Sequence, residues 1–161
     1  VDTALDTSGF GKRERYEKIY PYVDTFLYDI KFMDEKLHQE YTGVSNKIIL
    51  DNLRFVADKI RKQKDTRLWI RTPLIPGATA VKENIEEIGW FIQKELADVI
   101  ERWELCAFNN VCKEKYVKIG QDWEYGHCRL MEEKEVRELA AAAETYAKGN
   151  VVVSGLMGDA S

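Results

Sequence analysis

The stretch VDTFLYDIK, residues 23–31, decides the fold that we expect for this chain. Its centre is an apolar and aromatic run, typical of a buried parallel strand, and its end carries Asp29 and Lys31. Because side chains alternate along a strand, Asp29 and Lys31 share one face with Leu27, whereas Ile30 points to the opposite face, toward helices. An acid and a base side by side can form a plain salt bridge, or can bind a zwitterionic or ribose-bearing ligand. The spacing leaves both interpretations open.

Strands and helices alternate along the rest of the chain. The predicted strands cover residues 1–5, 23–31, 68–75, 103–108 and 151–153, and the predicted helices cover residues 12–20, 34–41, a long stretch after Ser45, 82–96 and 132–148. This order predicts an α/β fold in which crossover helices connect the strands of a parallel sheet. Polar residues collect where successive strands end, which favours part of a (β/α) barrel over an open doubly wound sheet. Periodicity alone does not separate these two architectures.

The composition predicts one globular domain over residues 1–161, because 45% of the residues are hydrophobic and 32% are charged. The net charge of −4 argues against nucleic acid as the main partner, since phosphate binding needs clustered basic residues. No apolar run is long enough to span a membrane, so we expect no membrane partner. The three cysteines are odd in number and form no C-x-x-C pair, which indicates a reducing, cytoplasmic location. The sequence starts at Val1, directly in a predicted strand, and we expect it to be an excised piece of a longer protein.

Polar residues at the other strand ends are further candidates for a site. Asp6 and Thr7 follow the first predicted strand, where they could also form an Asx-turn or cap the next helix. Arg71 lies in the third predicted strand, and an arginine inside a protein needs a carboxylate or a ligand beside it. The two histidines, His38 and His127, are expected at the surface rather than in the site.

The strand ends also carry motifs of a known family. The matching segments, in chain order, are ALDTSGF (residues 4–10), FLYDIKFMD (26–34), EYTGVSN (40–46), WIRTPLIPG (69–77), NIEEIGWFI (84–92) and CKEKYVKIG (112–120). In this order they resemble the glycyl-radical enzyme activating enzymes, and within that family most of all the pyruvate formate-lyase activating enzymes. The resemblance covers nearly the whole chain.

This resemblance implies a radical S-adenosylmethionine (SAM) enzyme, an oxidoreductase of anaerobic metabolism. In such proteins a 4Fe–4S iron–sulfur cluster cleaves SAM reductively to methionine and a 5′-deoxyadenosyl radical. The radical takes a hydrogen atom from a backbone glycine of a glycyl-radical enzyme such as pyruvate formate-lyase. An electron donor such as flavodoxin or ferredoxin is the second partner. The implied fold is a partial (β/α)6 barrel, open on the side where the partner's glycine loop enters.

The resemblance also assigns the candidate residues to a SAM site. The residues that it implies are Asp29, Ile30, Lys31, Asp6, Thr7, Arg71 and Asn109. A monovalent cation is implied near Asp6, Thr7 and the backbone of Leu27. Asn109 stands where the most similar family members have a histidine that touches SAM. An asparagine can still donate and accept hydrogen bonds but cannot titrate, so a different glycyl-radical partner is conceivable.

The sequence departs from the family by lacking its cluster motif. The family's C-x3-C-x2-C motif and a glycine-rich SAM-binding segment precede the first strand, and neither occurs within these 161 residues. Cys106, Cys112 and Cys128 have the wrong spacing to replace the motif. We therefore expect the C-terminal part of the barrel, truncated on the N-terminal side, with about four of six parallel strands. Such a fragment should bind no cluster, should bind SAM weakly or undetectably, and should be inactive by itself.

Two other functions stay open at this point. A lysine at a barrel strand end is also the nucleophile of Schiff-base aldolases, and Lys31 would take that role. The chain could instead be a non-catalytic partial barrel that serves as an interaction module. Truncation of the barrel would leave the first strand at an exposed sheet edge, which predicts self-association of the fragment.

Overall fold

The computed structural model describes residues 1–63, 65–111, 113–155 and 157–158, and in them the chain forms one five-stranded sheet. The strands are β1 (Ala4–Thr7), β2 (Thr25–Asp29), β3 (Arg67–Leu74), β4 (Ile100–Ala107) and β5 (Val151–Ser154). The helices are α1 (Arg13–Ile19), a 3-10 turn (Tyr20–Tyr22), α2 (Glu35–Thr42), α3 (Lys47–Gln63), α4 (Lys82–Glu95), α5 (Lys113–Lys118) and α6 (Glu133–Glu144). The predicted α/β class is confirmed, and all five strands that the alternation predicts are present, although the family resemblance implied only about four.

The spatial order of the strands identifies the architecture. All four neighbouring pairs are parallel, and the order in the sheet is the order in the chain. A doubly wound sheet reverses its direction at a switch point, and this sheet does not reverse. Successive right-handed crossovers that all advance in one direction place their helices on one face of the sheet, as in a (β/α) barrel. The expected partial barrel is therefore confirmed.

The two faces of the sheet differ in burial. Phe26, Ile70 and Trp103 belong to the helix-covered face and are 0% exposed. The strand β3 alternates between buried and half-exposed residues along its whole length. We call the half-exposed face the inner face; its polar and sulfur-bearing members include Asp6, Asp29, Arg71, Glu104 and Cys106. The helix-covered face carries the core, and the inner face carries the charges.

Local sequence signals mark both ends of α2. The Asp34 carboxylate caps the helix by accepting a hydrogen bond from the Leu37 amide at 2.8 Å. Gly43 ends the helix with a φ of 78°, a conformation that favours glycine. The short helix α2, which lies in the connection between β2 and α3, is thus fixed at both of its ends.

Two predicted boundaries differ from the structure. The strand β1 starts at Ala4 rather than at residue 1 and continues through Thr7, because the Thr3 amide donates to the Asp24 carboxylate at 2.7 Å instead of extending the strand. The segment 109–130, to which the sequence analysis assigns no helix or strand, contains the short helix α5. Cys112 lies outside the described residues. None of the described helices is both long and apolar enough to cross a membrane.

Candidate functional site

The Asp29–Lys31 pair lies at the carboxyl end of β2 on the inner face. The Lys31 Nζ donates to Asp29 Oδ2 at 2.9 Å, and the two side chains are 29% and 25% exposed. The two residues therefore do share one face, and the plain salt bridge forms. Ile30, between them, is 2% exposed on the opposite face, where the sequence places it.

A second charged group lies on the neighbouring strands. Arg71 Nη1 donates to Asp6 Oδ2 at 2.6 Å, and Arg71 Nε lies 3.6 Å from Glu104 Oε2. The expectation that Arg71 meets a carboxylate is confirmed. The sequence reasoning missed Glu104, which stands opposite Arg71 in the β3–β4 register. Arg71 thus bridges carboxylates from two other strands and ties the inner face together.

Electrostatics keep Arg71 charged and its neighbour Cys106 protonated. Burial by itself would lower the pKa of the Arg71 guanidinium, but contacts with Cys106 and Asp6 outweigh burial and raise that pKa. Burial raises the pKa of the Cys106 thiol, and the contacts with Arg71 and Ser154 oppose this shift only in part. A thiol with a raised pKa is a poor nucleophile, so Cys106 acts here as a packing group.

Thr7 points away from the inner face. Its hydroxyl lies 2.8 Å from the Tyr16 hydroxyl and accepts a hydrogen bond from the Gly9 amide at 3.0 Å. The structure therefore does not bring the Thr7 hydroxyl together with the Asp6 carboxylate, which pairs with Arg71. The side chains of Thr7 and Ile30 both point away from the inner face, so only the backbone atoms of these two residues can contact a ligand there.

Asn109 follows β4 at the same end of the sheet. It is half-buried, and its Oδ1 accepts a hydrogen bond from the Val111 amide at 3.3 Å. Within the described residues its side chain makes no hydrogen bond to another candidate residue. Asn109 is thus placed at the correct end of the sheet, but the structure does not join it to the charged pairs.

A cavity of about 290 Å³ opens beside the Asp29–Lys31 pair. Its other lining residues are Ser8, Phe10, His38, Thr42, Val44 and Ile49. The prediction that His38 is a surface residue is wrong, because the side chain is 4% exposed and its Nδ1 lies 2.8 Å from the Val44 carbonyl oxygen. Helix α2 turns this ring inward against the loop that follows it. His127, in contrast, is exposed as predicted.

Three buried asparagines hold the loops around the site, and the sequence reasoning missed them. Asn84 donates to the carbonyl oxygens of Lys31 and Thr79 at 2.9 and 3.1 Å. Asn46 and Asn52 each donate in the same way to two loop carbonyl oxygens. For Asn52 and Asn84 the available signal was an asparagine beside apolar residues of an amphipathic helix. Such a residue is buried only when it has partners, and here the partners are loop carbonyls.

Known proteins share sequence with this chain over most of its length. No protein-family profile matches it. It is 34% identical over 139 residues to the trans-4-hydroxy-L-proline dehydratase activating enzyme of Clostridioides difficile, covering 86% of this chain and 44% of that protein. It is 25% identical over 148 residues to the pyruvate formate-lyase 1-activating enzyme of Escherichia coli strain K12, covering 91% of this chain and 57% of that protein. The chain is a relative of the glycyl-radical enzyme activating enzymes.

The chain spans less than half of the length of the first of these activating enzymes. Among solved structures, a domain of the pyruvate-formate lyase-activating enzyme from Bacteroides vulgatus ATCC 8482 superposes with a TM-score of 0.71 at 23% identity, covering 96% of this chain and 82% of that one. Hydroxymethylglutaryl-CoA lyase from Pseudomonas aeruginosa superposes with a TM-score of 0.60 at 11% identity, covering 95% of this chain and 44% of that one. These two likenesses concern the fold alone. The described residues contain no group of three His, Cys, Asp or Glu side chains that could hold a metal ion.

Proposed function

We propose that this chain is the C-terminal part of a radical SAM activating enzyme, whose whole form generates a glycyl radical on a partner enzyme such as pyruvate formate-lyase. The observation that carries the proposal is the inner-face pair of Asp29 and Lys31, 2.9 Å apart at the end of a barrel strand. The family resemblance assigns SAM to this strand end. The named activating-enzyme relatives support the same reaction class.

The residues on the inner face suit the ligand. Lys31 can donate to the carboxylate of the amino-acid end of SAM, and Asp29 can accept from its ammonium group. The Arg71 guanidinium and its carboxylate partners give the neighbouring strands a charged lining rather than an apolar one. The proposed role of this chain is therefore to bind and orient SAM from one side of the barrel.

The electron that cleaves SAM would come from a 4Fe–4S cluster. Flavodoxin or ferredoxin would supply this electron to the cluster. We place the cluster ligands in chain that precedes these residues, in the family's C-x3-C-x2-C motif. A barrel wall without the remaining strands encloses only part of a SAM molecule. We therefore propose that the 161-residue chain binds SAM weakly and is inactive alone. The three cysteines without a disulfide pattern favour a cytoplasmic setting.

The test is to read the gene upstream of Val1 and to assay the longer product. We expect three cysteines at C-x3-C-x2-C within about a hundred residues, the scale of a domain segment. The longer protein, with its cluster reconstituted under anaerobic conditions, should produce a glycyl-radical electron paramagnetic resonance signal on its partner. Lys31→Met should lower the yield of that signal, and Lys36→Met, an exposed lysine of α2, is the matched control. If the reading frame upstream of Val1 lacks this cysteine motif, no cluster can start the proposed reaction, and the proposal is refuted.

Two observations distinguish this proposal from its two alternatives, the Schiff-base aldolase and the interaction module. A Schiff-base aldolase predicts that borohydride traps a carbonyl substrate on Lys31, and our proposal predicts no adduct. A stable gene product that begins near Val1 would instead favour the interaction module.

A further inference from the structure

The outward face of helix α4 carries a stripe of acidic residues and one tryptophan. The opposite face of the helix packs into the core through Ile85, Ile88 and Ile92. The outward residues recur with the helical period i, i+3, i+4 and i+7: Glu83, Glu86, Glu87 and Trp90. The proposed SAM site does not use this stripe, so its residues need another explanation.

The stripe lines an open groove of about 640 Å³ on the outside of the barrel. The other lining residues are Met33, Asp34 and Tyr146. Gly89 shapes this groove, because a Cβ at that position would come within 2.6 Å of the Tyr146 ring atom Cδ2. The half-buried Tyr146 ring can therefore lie directly over Gly89, and the groove has a packed aromatic wall.

The tryptophan of the groove is unusually accessible. Trp90 is 56% exposed. Single exposed apolar residues are common on protein surfaces, but Trp90 lies beside Met33 and Tyr146 in one concave surface. Methionine, tyrosine and tryptophan are the residue types that are enriched where proteins bind other proteins. The groove therefore has the composition of a docking surface.

The charges of the groove indicate what kind of partner it fits. Four carboxylates surround its aromatic residues, those of Asp34, Glu83, Glu86 and Glu87. Of these four, only Glu86 forms an ion pair within the described part of the chain, with Lys82 at 3.6 Å, and both of those side chains are exposed. The groove thus keeps a negative charge that its surroundings do not neutralise, and a positively charged segment complements it.

The chain itself places a cation on the tryptophan. The exposed Lys94 ammonium lies 4.5 Å from the centre of the Trp90 ring, which is within the range of a cation–π contact. A guanidinium group suits such a site better than an ammonium group, because it stacks flat on aromatic rings and donates in a fork to carboxylates. Arginine is therefore the side chain that best complements the indole and the carboxylates together.

We propose that the groove along the outward face of α4 binds an arginine-bearing segment of a partner protein. The guanidinium stacks on Trp90 and pairs with the carboxylates of Glu83 and Glu87, while a neighbouring apolar side chain contacts Met33 and Tyr146. The inference does not depend on SAM binding, because the groove lies outside the helix layer and not on the inner face. Lys94 competes with the arginine for the ring.

The experiment uses the whole 161-residue chain, labelled with ¹⁵N, and two synthetic peptides. The probe is acetyl-Arg-Leu-Gly-Arg-Leu-amide. Its control carries citrulline at both arginine positions, which keeps the shape of the side chain and removes its charge. The indole ¹H–¹⁵N signals of the four tryptophans report binding, and Trp90→Phe assigns the Trp90 signal by its loss. Each peptide is titrated to millimolar concentration at low and at high salt.

We expect a saturable shift of the Trp90 indole signal with the arginine peptide, weaker binding at high salt, and much weaker binding of the citrulline peptide. Trp90→Ala, followed by calorimetry, should weaken binding roughly fivefold or more. Lys94→Met should strengthen binding, because it removes the competing cation. The opposite signs of these two changes distinguish the groove from a general loss of folding.

A pair of matched charge variants tests the carboxylates. Glu83→Gln combined with Glu87→Gln should weaken binding of the arginine peptide roughly two- to thirtyfold, the value of two exposed ion pairs. Glu14→Gln combined with Glu17→Gln removes the same charge from the exposed face of α1 and should leave the affinity nearly unchanged, because salt screens distant charges.

Four results would overturn the inference. The first is no shift of the Trp90 indole at millimolar arginine peptide, which needs no variant and so does not depend on the folding of a mutant. The second is equal binding of the citrulline peptide, and the third is equal weakening by the charge variants of α1 and α4; either would show that the groove does not select an arginine. The fourth is a shift of Trp90 when the concentration of the chain alone is raised, which would assign the groove to a second copy.

Discussion

Gly9 and Gly43 allow the effect of a steric clash to be measured apart from backbone strain. Both residues have a positive φ, 77° and 78°. A Cβ at Gly43 would have open space around it, whereas a Cβ at Gly9 would overlap the Tyr28 ring and hydroxyl. Tyr28 is 0% exposed, and its hydroxyl donates to the Ile49 carbonyl oxygen at 2.7 Å, so the ring has no room to retreat. We predict that Gly9→Ala destabilises the chain much more than Gly43→Ala.

The magnitudes follow from the two contributions. A left-handed backbone costs an alanine about 1–2 kcal/mol, and both variants share this cost. Overpacking a filled core adds about 1–3 kcal/mol, which only Gly9→Ala carries. The expected loss in the free energy of unfolding is therefore about 2–5 kcal/mol for Gly9→Ala and about 1–2 kcal/mol for Gly43→Ala. At about 2–4 °C per kcal/mol for a chain of this size, the two melting temperatures should differ by several degrees.

Urea denaturation followed by circular dichroism measures both free energies, and calorimetry measures the melting temperatures. Equal losses in the two variants would refute the reasoning, because they would show that the loop after β1 moves away from Tyr28 at no cost. That result would also weaken the assignment of Ser8 and Phe10 to the wall of the cavity, since both belong to the same loop.

The remaining predictions concern the loops, the acid stability and the sheet edge. Asn52→Ala leaves two glycine carbonyl oxygens of the β1–α1 loop without their donor and should cost about 2–4 kcal/mol in urea denaturation, whereas Asn109→Ala in a loop should cost under about 1 kcal/mol. Arg61 donates a hydrogen bond to the Asp98 carboxylate at 2.8 Å and thereby lowers the pKa of Asp98. The pair therefore stabilises the fold at pH values above the ordinary aspartate pKa of about 3.9, and this stabilisation is lost as the pH falls below that pKa. Arg61→Met should therefore destabilise the chain at neutral pH, and its stability should converge with that of the unsubstituted chain in acid; a constant difference at every pH would contradict this. The edge strand β1 should make the chain self-associate, and light scattering that shows only monomer at high concentration would argue against it.

Much of the fold could be predicted because its signals are local. The alternation around Asp29 predicted which side chains share a face, and both the capping residue Asp34 and the terminating Gly43 are where the sequence indicates. The short strand β5 was also predicted from its valines alone. Each of these signals depends on neighbours within a few residues in the chain, which a sequence displays directly.

The parts that could not be predicted depend on contacts between distant segments. His38 looked like a surface residue because α2 is short and charged, and only the loop that follows the helix buries its ring. Thr7 was assigned to the site together with Asp6, from the strand end and the family resemblance. Because a one-residue step in a strand reverses the face, the Thr7 hydroxyl contacts Tyr16 instead of sharing the face of Asp6. Glu104 became a candidate only through the register of β3 against β4.

The sequence by itself determined the class of the protein: alternating strands and helices, charged strand ends, and ordered motifs shared with the activating enzymes. These features depend on neighbouring residues or on the order of motifs along the chain, so they can be recognised without the tertiary structure. The tertiary structure alone decided that the sheet advances in one direction, that Arg71 joins carboxylates from two other strands, and that the His38 ring is buried against the loop after α2. Strand order and side-chain convergence arise when segments far apart in the chain pack together, and no short stretch of sequence encodes them.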